Sequence, residues 1–165
     1  MINKRQDGEL LLFKWRLFME SKRKVKKSNF NTKAKKVLDE MGYYTEIVET
    51  YNFFSKTKKD IFNFMDAISL NPDVEKEKIL AIQICARASI ATRYNKITKD
   101  TIIDSKTKEV VKNTIPEKAK TWLLSGGGIW ILGFESQSLK DRIVKIRKIT
   151  LDKNNNFLYT DERIN

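Results

Sequence analysis

The chain has 165 residues, with 33 Lys or Arg against 21 Asp or Glu, a formal charge of +12, one cysteine and no histidine. That length suits one compact domain with a decorated end, and 41% hydrophobic residues with only two prolines supply a core and argue against a long disordered tract. The lack of histidine excludes Ser-His-Asp and Cys-His catalysis, H-E-x-x-H zinc sites and histidine-dependent deamination, and a lone Cys85 excludes a disulfide framework or cysteine zinc cluster, leaving carboxylates, lysine, tyrosine or a hard metal for any hydrolysis.

Residues 8–27 read as a basic amphipathic helix capped by Asp7, with Leu10, Leu11, Phe13, Leu17 and Phe18 on its apolar face. Its end, Ser21-Lys22-Arg23-Lys24-Val25-Lys26-Lys27, puts five cations in seven residues, suited to a helix C-terminus and to a phosphate backbone. This pattern sets residues 1–30 apart as an N-terminal arm, ahead of a domain at 31–151 and a polar tail at 152–165. A second helix is predicted over 32–41, where Ala34, Val37, Leu38 and Met41 share one face and Gly42 supplies the stop.

The β-branched and aromatic content of 43–51 predicts a strand, followed by an aromatic and basic connection over 53–59. Residues 65–70 read as a short apolar strand ended by the turn signal Asn71-Pro72-Asp73. After a charged loop, 79–85 is apolar almost throughout, as in a central strand covered on both faces. Asp66 and Gln83 then fall on adjacent antiparallel strands.

Residues 88–97 are predicted helical, bearing Arg93 and Lys96 near Arg87, and 100–112 read as a polar insertion or hairpin. Thr114-Ile115-Pro116-Glu117 has the spacing of a capping box, with Ala119, Trp122 and Leu123 behind it as a buried stripe. Gly126-Gly127-Gly128 follow a helix and precede a strand, the reverse of a phosphate-cradling loop, and read as a turn. A strand follows over 129–134, a weaker one over 142–151, and a polar tail from Asn154.

Two stretches carry the chemistry. Lys59-Asp60-Ile61-Phe62-Asn63-Phe64-Met65-Asp66 ends on a carboxylate at a strand start, and Ala81-Ile82-Gln83-Ile84-Cys85 sets an amide and a thiol two apart on the next strand. With the order of elements around them, over residues 32–134, the chain resembles the PD-(D/E)XK nuclease superfamily, the restriction-endonuclease-like proteins that include archaeal Holliday-junction resolvases and many phage repair nucleases. The resemblance implies an α/β fold with an αβββαβ core, a mixed central sheet flanked by helices, and an added N-terminal helix. It also implies an endonuclease that hydrolyses phosphodiester bonds with Mg²⁺ or Mn²⁺. On that reading Asp66 supplies the anionic metal ligand, Gln83 its amide oxygen and Ile84 its backbone carbonyl, while Asp60 is either a second ligand or a turn aspartate. Glu40, Glu46 and Glu49 are further acids that could join but read as surface charge. The family's motif lysine falls at Cys85, which carries no cation. A relocated one is therefore expected, Lys96 or Arg93 by helical geometry, with Lys59 and Lys78 as alternatives.

A field of +12 attracts polyanions, and DNA is the expected partner. Lys56, Lys58, Lys59, Arg87, Arg93 and Lys96 flank the metal ligands in sequence, and Lys22, Arg23, Lys24, Lys26 and Lys27 extend the basic surface. Phosphate contacts position without reading bases, so branched or otherwise structured DNA is the expected substrate, in recombination, repair or phage DNA processing. Tyr51, Phe53 and Phe54 are candidates to stack on an unpaired base. Cys85 keeps a second reading alive, a nuclease fold without catalysis that binds DNA or belongs to a virion. The amphipathic start offers a surface for a homodimer. The apolar run at 10–19 is interrupted by Lys14 and Arg16, and no stretch reaches the roughly 18 apolar residues a membrane span needs, so the expected location is the cytoplasm, that of the host for a phage protein.

Overall fold

Asn29 starts the first helix, α1 (Phe30–Glu40): its side-chain oxygen accepts from the Thr32 N–H at 2.8 Å, which satisfies a donor the helix cannot. Gly42 ends it at φ 86°, a conformation open to glycine. This computed structural model describes residues 29–52, 57–73, 77–104, 107–136 and 143–164, so the predicted helix over 8–27 and its basic run lie outside it.

The single strand predicted over 43–51 is instead two. β1 (Tyr44–Ile47) belongs to the main sheet, while β2 (Thr50–Asn52) pairs with β3 (Thr57–Lys59) in a separate hairpin. The break has a clear cause. The Val48 and Glu49 N–H groups both donate to Asp66 O, at 2.9 and 3.0 Å, which interrupts the regular ladder and sets Glu49 beside Asp66.

β4 (Ala67–Leu70) runs antiparallel to β1 and to β5 (Ile79–Ala86). β5 pairs in parallel with β8 (Gly128–Phe134), and β9 (Val144–Leu151) and β10 (Phe157–Ile164) continue antiparallel, for the order β1-β4-β5-β8-β9-β10. The chain is therefore α/β with a mixed six-stranded sheet. The stretch read as a polar tail is in fact the outer strand β10. Its polarity reflects an edge position and cross-strand charge: Arg147 on β9 makes two bonds of 2.8 Å to Asp161, Lys145 reaches the same carboxylate at 2.8 Å, and Lys148 reaches Glu162 at 2.8 Å. Asp152 folds the connecting turn by accepting from the Asn154 and Asn156 N–H groups.

A parallel pair requires a crossover. Here it contains a 3₁₀ turn (Arg87–Ser89), helix α2 (Ile90–Thr98), a hairpin of β6 (Thr101–Ile103) and β7 (Val110–Lys112), and helix α3 (Ile115–Leu124). The capping box predicted for α3 does not form, since Thr114 makes no side-chain cap. Asn113 takes that place. Its Oδ1 accepts from the Ile115 N–H, and its amide nitrogen donates to Lys96 O at 2.7 Å and Lys99 O at 2.8 Å, tying the foot of the hairpin to the end of α2.

The sheet has a core on each face. On one, Ala34, Val37 and Leu38 of α1 pack with Leu80, Ile82, Ile84, Trp130 and Leu132. On the other, Ile90, Ile97, Ile115 and Ala119 of α2 and α3 pack with Ala81, Cys85, Ile129 and Ile131. Strand alternation explains the sorting on β5 and β8, and it puts Gln83 on the α2 side with Cys85. Among the described residues, no helix is long and apolar enough to cross a membrane.

Candidate functional site

Asp66 ends a tight turn and lies one residue before β4. Phe62 and Asn63 take φ of 53° and 66°, and Asn63 N–H donates back to Asp60 O at 3.2 Å, so the chain doubles on itself between the two aspartates. A phenylalanine in this region costs on the order of 1–3 kcal/mol. The fully buried Phe64 and Met65 anchor the following residues.

The Asp66 carboxylate is buried at 6% exposure. Its Oδ2 accepts from the Ile84 N–H at 2.6 Å and from the Gln83 side-chain nitrogen. Ligand oxygens of Glu49, Asp60 and Asp66 all lie within 4.8 Å of one another. Burial pushes the Asp66 carboxyl up to about 6; the Ile84 N–H and Gln83 amide oppose the rise, while the Asp60 and Glu49 charges add to it.

Asp66, one residue before β4, meets Gln83 of the antiparallel neighbour β5, close to the expected pairing on adjacent strands, and the Gln83 side-chain nitrogen donates to the Asp66 carboxylate. The Gln83 Oε1 is buried with no hydrogen-bond partner among the described residues. A buried carbonyl oxygen without a partner is costly, of the order of 1–3 kcal/mol, and uncommon in a native core. Ile84, the residue expected to offer its carbonyl, donates its N–H to the same carboxylate.

An open cleft of about 530 Å³ runs beside the carboxylates, lined by Glu49 and Asp66, by Ile84 and Cys85 of β5, by Ser89 and Arg93 of the crossover, and by Asn29, Phe30 and Asn31 at the start of α1. Lys96, one helical turn beyond Arg93, places Nζ 3.7 Å from Asp60 Oδ2. Cys85 is a buried thiol pushed up to about 11 by desolvation, an effect the Arg93 charge opposes. Opposite Cys85 in the ladder stands Gly133, where a β-carbon would strike the Ile90 side chain and approach Arg87 Cα to 3.1 Å. Glycine here lets the start of α2 lie close on the sheet, which brings Arg93 over the strand end.

The chain matches no family model, no curated protein and no solved structure. Its site is thus defined by its own geometry.

The structure brings together Asp60, Asp66, Gln83, Ile84, Arg93 and Lys96. It does not bring Arg87, expected among the substrate contacts, to the carboxylates: that guanidinium pairs with Glu135 beside a different cleft. Lys58 and Lys59 lie on β3, opposite Tyr51 and Thr50. Lys56 and the basic run Lys22, Arg23, Lys24, Lys26 and Lys27 lie outside the described residues, as do Phe53 and Phe54. Glu46 is surface charge as expected, 3.8 Å from Lys35. Glu49 is not, and joins the carboxylate cluster. The signal in the sequence was weak: Glu49 sits inside a stretch that reads as continuous strand, and only the break at Val48 turns it toward Asp66.

The carboxylates and the amide oxygen form a hard-oxygen donor set, which suits Mg²⁺ or Mn²⁺ better than a soft metal. Three acids this close, with Lys96 reaching Asp60, carry surplus negative charge that a divalent cation would offset. The buried Gln83 Oε1 is a further donor at the same place, available if the amide turns over. The residues present therefore fit such an ion.

Proposed function

We propose that the chain is a metal-dependent phosphodiesterase acting on DNA, with a restriction-endonuclease-like core. The observation that carries this reading is the convergence of Glu49, Asp60 and Asp66 beside the unpartnered Gln83 oxygen, at the rim of a cleft that also holds a cation. The fold reading is supported by a helix, three antiparallel strands β1, β4 and β5, a helical crossover, and β8 parallel to β5.

A bound divalent ion would polarise a phosphoryl oxygen and make the attacking water more acidic. Asp66, Glu49 and Asp60 would hold it. Gln83 and the Ile84 N–H both donate to one Asp66 oxygen and so hold the carboxylate in one orientation. Positive charge from Arg93, which lines the same cleft, would stand where the phosphate gathers negative charge, and such a preorganised group is worth about 3–4 kcal/mol when it is removed. Hydrolysis of structured DNA, such as a four-way junction, agrees with the +12 charge and with an open cleft.

The test is incubation of the purified protein with linear, nicked and four-way-junction DNA in Mg²⁺ or Mn²⁺, beside Asp66→Ala. Cleavage by the wild type alone is expected. If both proteins bind DNA and leave every substrate intact, the second reading holds, a DNA-binding or virion module without catalysis; the buried Cys85 at the place of the family lysine is the observation that favours it.

A further inference from the structure

The two cations of α2 stand in different surroundings. Lys96 is engaged with Asp60, and both side chains are largely buried, at 29% and 16% exposure. Arg93 lines the cleft with Asp66, Glu49 and Cys85, and makes no hydrogen bond or ion pair with any described residue. Cys85, the position two residues after Gln83, lines the same cleft as this guanidinium.

The start of α1, which lines the same cleft, has the same polarity as Arg93. Asn29, Phe30 and Asn31 form the start of α1, whose first turn carries no acid. A helix start presents partial positive charge and outward N–H groups, which favour an anion. The cleft thus combines the carboxylates Glu49 and Asp66 with two features that favour an anion, the Arg93 guanidinium and a helix start. Its volume of about 530 Å³ is in the range that encloses a nucleotide-sized ligand.

We infer that Arg93 is the phosphate-binding cation of this cleft, in the place that Cys85 leaves vacant, and that Lys96 serves the carboxylates as their internal counter-ion. The inference rests on the metal-dependent reading above and divides the labour within it. A guanidinium offers a planar fork that takes two phosphate oxygens at once, which an ammonium cannot. Arg93 would contact the non-bridging oxygens of the phosphate whose other side faces the carboxylate-held ion. Lys96 would not touch substrate, and would instead weaken metal binding by competing for Asp60.

The experiment compares wild type, Arg93→Ala, Arg93→Lys and Lys96→Gln in three measurements: Mn²⁺ titration, binding of a short fluorescent DNA in Ca²⁺ and in EDTA, and cleavage in Mg²⁺. Arg93→Ala should keep Mn²⁺ affinity within about twofold, lose about tenfold or more in Ca²⁺-dependent DNA binding, and lower kcat about 10²-fold. Arg93→Lys should recover part of the binding. Lys96→Gln should bind Mn²⁺ more tightly and leave DNA binding unchanged. DNA binding by Arg93→Ala equal to wild type would overturn the inference, as would a loss of DNA binding in Lys96→Gln instead. If the wild type cleaves nothing while Arg93→Ala still loses Ca²⁺-dependent binding, the phosphate site stands and the hydrolytic reading falls.

Discussion

Gln83 donates its amide hydrogen to Asp66 at the start of the β4–β5 pair, and the oxygen of the same amide is buried without a partner among the described residues. The amide thus holds Asp66 in place, and on the proposed function its oxygen is a further donor for the ion. Gln83→Glu replaces that hydrogen bond with a second negative charge against Asp66. The variant should melt at a lower temperature than wild type in EDTA, and bind Mn²⁺ more tightly by about tenfold, since added ligand charge raises affinity at an oxygen site. Calorimetric titration decides it: unchanged or weaker Mn²⁺ binding would remove Gln83 from the metal set.

Asp66 links pH and stability. Its carboxyl is raised from the ordinary 3.8 to about 6, so between those values the native state keeps a proton that the unfolded chain has lost. The contribution of this group to stability is therefore present at low pH and is lost as pH rises through about 6. In metal-free buffer, Asp66→Asn should melt higher than wild type at pH 8, with the gap narrowing below about pH 6 and closing near pH 4. It should also lose the stabilisation that Mn²⁺ gives wild type. A gap that stays constant from pH 5 to 8 would mean that the carboxylate is not desolvated as its burial suggests.

Asp161 works in the opposite sense and in a lower window. The Arg147 and Lys145 side chains hold its carboxyl down to about 2, so its contribution is present above about 4 and lost as pH falls toward 2. Asp161→Ala should cost about 1–2 kcal/mol near neutral pH, in line with charge-assisted hydrogen bonds at a partly exposed site. Urea unfolding at pH 7 and pH 3 checks both size and direction: an equal loss at the two values would contradict the pairing.

Gly133→Ala should act at a distance. The added methyl meets the Ile90 side chain and the backbone at Arg87, so Ile90 must repack and the start of the crossover must give way. A cost of about 1–3 kcal/mol is expected from overpacking, together with weaker DNA binding because Arg93 rides on the same helix as Ile90. Full DNA affinity in a folded Gly133→Ala would show that Arg93 tolerates that shift.

Much of the fold was legible because period and punctuation agreed. The stripe Ala34, Val37, Leu38 with Gly42 behind it, and the apolar run 79–85, each gave one local answer that packing then kept. The misreadings share a cause. The break at Val48–Glu49 depends on the Asp66 carbonyl, and strand β10 depends on Arg147, Lys145 and Lys148 across the ladder, so both are decided by partners far away in sequence. The capping of α3 failed more locally, because Asn113, with three bonds to make, outcompeted Thr114. At the site, Asp66 with Gln83 could be read from residue type and spacing. The division between Arg93 and Lys96 could not, since both lie on the same short helix and only the position of Asp60 separates them.

The parallel β5–β8 pair has a consequence for how this site can change. Every acidic or amide donor, Glu49, Asp60, Asp66 and Gln83, comes from the chain up to β5, whereas Arg93 and Lys96 both lie in the crossover that the parallel pair requires. The crossover is in effect a cassette, leaving β5 and returning at β8 between fixed attachment points. Replacing it whole would exchange the cationic half of the cleft, and with it the preference among anions, while leaving the carboxylate half in its original frame.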